Sequence, residues 1–146
     1  MDTLDRHVIA CLLEDGRASY AQIGSQVGLS APAVKRRMDK LLDDGVITGF
    51  TAVVEPEQLG WAVEAYVELH CKGRVSPEEI RDALIRVPEV MDACTVSGAA
   101  DAMVHILASD MRHLERALEQ VRVEANIDHT QTAIVLSRLI DRRHAV

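Results

Sequence analysis

The sequence predicts an α+β protein in two parts: an N-terminal winged helix-turn-helix over residues 1–54 and a C-terminal ferredoxin-like βαββαβ domain over residues 61–146. Three observations carry this. The first 45 residues hold three runs of apolar residues at helical spacing, punctuated by Gly16, Gly28 and Gly45. From Val63 the period changes to two, and the signals then run strand, helix, strand, strand, helix, strand. A polar connector, Glu55 to Gly60, with Pro56 inside it, separates the two patterns and marks a linker.

In the first part, Leu4, Val8, Cys11 and Leu12 make one apolar stripe, with Asp2 and Asp5 at the helix end where the dipole favours negative charge. Asp15-Gly16 breaks this helix. Ser19 suits the N-cap of a short second helix carrying Tyr20, Ile23 and Val27, and Gly28 stands where a left-handed terminator belongs. Ser30 is placed to cap a third helix, from about Ala31 to Asp43, with Pro32 in its first turn and Ala31, Val34, Met38, Leu41 and Leu42 inward. Two helices joined by a tight glycine turn define a helix-turn-helix. Val46 to Val54, rich in Val, Ile, Thr and Phe, reads as strand or hairpin, the wing.

In the second part, Val63, Ala65, Val67, Leu69 and Cys71 alternate with Glu64, Tyr66, Glu68 and His70, giving a strand with one buried face. Ser76-Pro77-Glu78-Glu79 supplies a cap, a first-turn proline and a capping-box glutamate to a helix faced by Ile80, Ala83, Leu84 and Val87. Strands are expected at Val90–Val96 and Ala102–Ala108, joined through Ser97–Asp101. Asp110 caps a second helix faced by Met111, Leu114, Leu118 and Val121, and Ile127–Leu136 is the last strand. Two helices cover only one face of such a sheet, so the other face calls for a second copy of the chain.

Composition narrows the function. Cys11, Cys71 and Cys94 are odd in number, far apart and without a C-x-x-C pair, the pattern of a reduced cytoplasmic protein rather than a disulfide scaffold or zinc site. No apolar run reaches the ~18 residues of a membrane span, so no membrane partner is expected. The net charge of -7 opposes nucleic-acid binding overall, but it is unevenly spread. Residues 1–54 hold seven acidic and six basic side chains, against 16 acidic and 10 basic in the remainder. Lys35, Arg36, Arg37 and Lys40 crowd together with only Asp39 among them.

A bare basic run of this kind also suits a solvated helix face. Its place on the second helix of a helix-turn-helix is what makes it a DNA-reading surface, since that helix enters the major groove. Ser30, Ala31, Pro32 and Ala33 are compact enough to let the helix N-terminus approach base edges, and Lys35, Arg36 and Lys40 can hold phosphate or guanine. The histidines are scattered and suggest surface or packing roles, with no metal or cofactor. No nucleophile elbow and no phosphate loop is present.

Several strings in order resemble the Lrp/AsnC (feast/famine) family of prokaryotic transcription regulators. They are Leu4-Asp5, Glu14-Asp15-Gly16-Arg17, Val27-Gly28-Leu29-Ser30, Val34-x-x-Arg37-Met38-x-x-Leu41, Asp44 to Phe50, Gln58-Leu59-Gly60, Val87-Pro88-Glu89-Val90 and Ser97-Gly98-x-x-Asp101. The resemblance spans nearly the whole chain. It implies a C-terminal domain of the family's RAM type, double-stranded DNA as partner, an amino-acid effector, and a homodimer that assembles further, up to an octamer. It implies that Arg37, the family's own arginine, supports the fold or contacts the DNA backbone. It also implies an effector site between dimers formed by Gly98, Ala99, Ala100 and Asp101, with Thr132 nearby and Asp101 pairing with the ligand's ammonium group.

Two departures from the family pattern stand out. Gly24 replaces the usual alanine, a small-for-small change expected to matter little. Ala99 and Ala100 replace an acidic and an aromatic residue, which favours a neutral or hydrophobic amino acid over a basic one. Without the resemblance, the Gly98 turn reads as an ordinary hairpin connection. Two other functions fit the same architecture: a sirohaem-decarboxylase-like enzyme, which needs basic side chains for an acidic tetrapyrrole, and an architectural DNA binder with no effector. The intact basic helix favours the regulator over the enzyme.

Overall fold

The computed structural model describes residues 1–140, which form two compact units, residues 1–53 and residues 54–139. No helix among them is long and apolar enough to cross a membrane.

The first unit is three helices: α1 (Thr3–Glu14), α2 (Tyr20–Val27) and α3 (Ala31–Asp43). Each start has a local cause. Asp2 caps α1 and Asp5 returns the bond, a capping box built from two aspartates. Ser19 and Gln22 do the same for α2. Gly28, at φ 74°, turns the chain from α2 into α3, and Gly45, at φ 68°, follows α3. Val8, Ile23, Val34, Met38 and Leu41 form the core. Leu42, expected inside, is 40% exposed, because Val34, Met38 and Leu41 already fill the inward side.

Gly24 is more than a small residue. It is buried in α2, and its carbonyl oxygen accepts from Leu29 N–H at 2.9 Å. A Cβ at position 24 would stand 2.4 Å from the Leu29 carbonyl oxygen. The expectation that exchanging glycine and alanine here changes little beyond helix propensity is therefore corrected. The wing is corrected too, since residues 46–54 hold no strand. The Val46 and Ile47 N–H groups both bond to the Leu41 carbonyl, closing the end of α3. The residues after Gly49 form no strand and pair with none among the described residues, and Phe50 and Val53 are exposed.

The second unit begins with a single 3-10 turn, Pro56–Leu59, inside the predicted connector and ended by Gly60 at φ 85°. There follow β1 (Val63–Cys71), α4 (Pro77–Leu84), β2 (Val90–Thr95), β3 (Ala102–Ala108), α5 (Met111–Glu124) and β4 (Ile127–Ile134). The sheet is antiparallel throughout, in the order β2-β3-β1-β4. This is the ferredoxin-like arrangement read from the sequence. Ala65, Val67 and Leu69 of β1 and Val104 and Ile106 of β3 pack with Ile80, Leu84, Leu114 and Val121 of the two helices. Met111 of α5 stays exposed instead. The alternate residues lie on the opposite face. There His105 meets Glu64 at 2.6 Å and stacks on Tyr66, and His70 stacks on His129 with ring centres 4.1 Å apart.

Candidate nucleic-acid interface and effector loop

Helix α3 sorts its side chains cleanly. Val34, Met38 and Leu41 point into the core, which leaves Pro32, Lys35, Arg36, Asp39 and Lys40 on the exposed side. Ser30 is the N-cap by conformation, yet its side chain makes no capping bond, unlike Ser19. Its exposed hydroxyl stands at the helix start, beside half-buried Ala31 and Ala33. The N-terminal turn is thus small, polar at its tip and aligned with the positive end of the helix dipole, an arrangement suited to phosphate.

The four basic residues are not equivalent. Lys35 Nζ pairs with Asp39 one turn along at 2.6 Å, both side chains being about half exposed, and the carboxylate holds the Lys35 pKa above its ordinary value. Arg36 and Lys40 make no ion pair among the described residues. Arg37 turns the other way. Its Nη1 donates to Asp2 Oδ2 at 2.7 Å and to Asp5 Oδ1 at 2.6 Å, on α1 and its cap. Local spacing could not reveal this bridge, because the partners lie 35 and 32 residues apart. The visible signal was an Asp-x-x-Asp at a helix start, more acid than the cap needs.

The Gly98–Asp101 loop joins β2 to β3. A Cβ at Gly98 would meet open space, and Gly98 does not need a left-handed backbone. Ala100 is buried and Ala99 exposed. Asp101 is held from both ends: its N–H donates to the Leu69 carbonyl at 2.9 Å, and its Oδ2 accepts from Cys71 N–H at 2.7 Å. Burial, with Asp101 beside it, pushes the Cys71 thiol pKa up. One carboxylate oxygen of Asp101 is therefore committed to the end of β1.

Thr132 lies elsewhere in the protomer. It pairs with Val67 on the far edge strand and lines a groove of about 500 Å³ with Met111, Leu118 and Ile134. The groove beside the loop is a different one, about 460 Å³ between α4 and β2, reaching Thr95 and Ala102 at the base of the loop. A single protomer does not bring Thr132 and the loop into one pocket.

A helix-turn-helix with an exposed basic stripe, followed by an antiparallel βαββαβ domain, defines a class of DNA-binding regulators with a separate sensory fold. Comparison with known proteins fixes the class. The AsnC-type helix-turn-helix domain matches residues 1–42, and the Lrp/AsnC ligand binding domain matches residues 64–145. The chain belongs to the Lrp/AsnC family and is a DNA-binding transcriptional regulator. It is 51% identical over 142 residues to the HTH-type transcriptional regulator Rv2324 of Mycobacterium tuberculosis, covering 97% of this chain and 96% of that one. It is 32% identical over 139 residues to the proline dehydrogenase transcriptional activator of Rhizobium radiobacter, covering 93% and 89%. Among solved structures, the feast or famine regulatory protein Rv3291c of M. tuberculosis, complexed with L-methionine, superposes with a TM-score of 0.92 at 28% identity. That match covers 99% of this chain and 97% of that one.

Proposed function

We propose that the chain is a sequence-specific regulator whose hold on double-stranded DNA responds to an amino acid or related metabolite. The observation that carries the DNA half is the exposed stripe of α3, where Arg36 and Lys40 face outward without an ion-pair partner among the described residues. In this reading Lys35, Arg36 and Lys40 contact DNA, with Ser30, Ala31, Pro32 and Ala33 presenting the helix tip to the groove. Residues 1–54 bind DNA, residues 55–60 connect, and residues 61–146 bind the effector and assemble the oligomer. The chain acts as a binder, not as an enzyme.

The effector half rests on the Gly98–Asp101 loop. Gly98 leaves room for a ligand's backbone, and Asp101 keeps one carboxylate oxygen beyond its bond to Cys71 for an ammonium group. Ala99 and Ala100 leave the side-chain pocket apolar, favouring a neutral or hydrophobic amino acid. The methionine bound to the Rv3291c relative supports that class. Thr132 joins the site only across an interface, so this reading requires a dimer, formed through the helix-free face of the sheet, and further assembly of dimers. The test has two arms. Arg36→Ala should weaken operator binding and reduce the salt slope by about one unit. Asp101→Ala should keep DNA binding and lose the calorimetric response to a panel of amino acids. Unchanged DNA affinity in the first variant removes the reading face, and an unchanged response in the second removes the effector site.

A further inference from the structure

We propose that Arg37, although it lies on the DNA-reading helix, positions that helix and does not touch DNA. This rests on the reading of α3 as the element that binds DNA. The geometry is a closed four-bond arrangement at the start of α1. Asp2 N–H donates to Asp5 Oδ2 and Asp5 N–H donates to Asp2 Oδ1, both at 2.8 Å. Each carboxylate thereby spends one oxygen on the cap and has one left. Those two remaining oxygens, Asp2 Oδ2 and Asp5 Oδ1, both accept from Arg37 Nη1.

The burial is as telling as the distances. Asp5 is only 8% exposed and is the one buried charged residue among those described. A carboxylate taken out of water needs a charge partner, and here it comes from α3. A bare capping box would need no arginine, because Ser19 and Gln22 close the equivalent box on α2 with neutral side chains. The arginine therefore does something the cap does not: it fixes the rotation and axial position of α3 against the first turn of α1. Val34, Met38 and Leu41 hold α3 to the core through apolar contacts that tolerate small shifts, whereas two charge-assisted bonds to one nitrogen do not. Base reading depends on placement to a fraction of an ångström, so the clamp acts on specificity.

The proposal predicts an effect of opposite sign from simple charge. Removing an acid near a DNA-binding surface ordinarily strengthens binding. Asp5→Asn, which keeps an oxygen for the cap but loses the charge, should instead weaken it. The experiment uses the full chain and two duplexes: one selected by the wild-type protein from a random library, and one unselected of the same length. Arg37→Gln and Asp5→Asn should each lose on the order of tenfold affinity for the selected duplex. Affinity for the unselected duplex should stay within about twofold and the salt slope should not change. Arg36→Gln, in parallel, should reduce the slope by about one unit. A protein that is merely less folded would lose both duplexes alike, and that result overturns the proposal. So does a slope that falls by one unit in Arg37→Gln, or tighter selected binding in Asp5→Asn. If Arg36→Gln behaves as wild type, α3 is not the reading face. The proposal then falls with that reading, and the result is distinguishable because it appears in the control.

Discussion

Residues 1–53 are organised around a core of five buried apolar side chains, whereas residues 54–139 are organised around one of sixteen. The small unit compensates with its ends. Two capping boxes, a left-handed glycine at each of two turns, and the Asp2–Arg37–Asp5 clamp fix three short helices that apolar burial alone would leave loose. The larger unit is fixed by ladders whose register joins residues far apart in sequence, such as Val67 with both Val104 and Thr132. The unit proposed to read DNA is thus the one whose geometry hangs on a few polar contacts, and the unit proposed to sense and assemble is the one with the deep core.

The largest effect should come from removing one core side chain from each unit. Ile23 and Leu69 are both fully buried, and truncating either to alanine costs about 2–5 kcal/mol. Whole-domain stability scales at roughly 0.05–0.15 kcal/mol per residue, so the same loss consumes most of the small unit's stability and less of the large one's. Ile23→Ala should abolish amide-exchange protection across α1–α3 while β1 and β3 stay protected. Leu69→Ala should lower protection in the sheet without removing it. Equal losses in the two units would break the comparison.

Next come two glycines. Gly24→Ala forces a methyl against the Leu29 backbone, which can move only by opening the turn between α2 and α3. A cost of about 1–3 kcal/mol is expected, seen as an earlier denaturant midpoint for the helical unit. Gly98→Ala meets open space and should shift stability by no more than about 0.5 kcal/mol. A silent Gly24→Ala would show that the turn relaxes more easily than its backbone contact implies.

These glycines also show what the sequence could and could not reveal. Helix α3 and strand β3 were legible to the residue, because Pro32 and the alternation around Val104 are local signals. The Ser76–Glu79 capping box was legible for the same reason. The wing was not, because strand-forming composition says nothing about whether a partner strand exists, and residues 46–54 have none among the described residues. The close approach at Gly24 and the long reach of Arg37 depend on how helices cross, which no spacing encodes. Within the candidate effector site, only the family resemblance put Thr132 near Asp101, whereas the sheet order sets the β2–β3 loop and β4 on opposite sides of β1.

Acid sharpens the contrast between the units. The capping N–H of Asp5, followed by Arg37, holds the Asp2 carboxyl below its ordinary pKa of 3.8, and the capping N–H of Asp2, followed by Arg37, does the same for Asp5. In the larger unit the caps Glu79 and Asp110 are lowered too, by the backbone N–H groups of Ser76 and His113, without an arginine clamp. A lowered folded-state pKa means stability that is present above the ordinary carboxylate range and is lost as pH falls through the folded value. The window is therefore below about pH 4. Titrating amide protection from pH 5 to pH 2 should show α1–α3 loosening in that window. In Asp5→Asn the part of this slope owed to Asp5 should vanish, while that of α4 and α5 persists. An identical acid profile in the variant would detach the clamp from stability.

The smallest expected effect separates the two ion pairs that α3 makes. Lys35–Asp39 is exposed at both ends, with side-chain accessibilities of 59% and 49%, and sits at i,i+4 with the cation first, the weaker orientation. Such a pair contributes about 0.3–0.5 kcal/mol at most and is screened by salt. A double-mutant cycle with Lys35→Ala and Asp39→Ala should therefore return a few tenths of a kcal/mol at low salt and nothing measurable at high salt. Its consequence for DNA should nonetheless be visible. Asp39 draws the Lys35 ammonium along the helix and places a negative charge in the middle of the basic stripe. Asp39→Asn should release Lys35 toward a phosphate, raise DNA affinity at low salt, and steepen the salt dependence toward that of one more contact, about 0.9 in the logarithmic slope. Asp5→Asn, only a few residues into α1, should instead lower affinity for the selected duplex and leave the salt dependence unchanged. Two aspartates that each hold a basic residue of the same helix would then move DNA binding in opposite directions, one because it competes with the DNA and the other because it places the helix that binds it. Equal signs for the two variants would reduce both pairs to plain surface electrostatics.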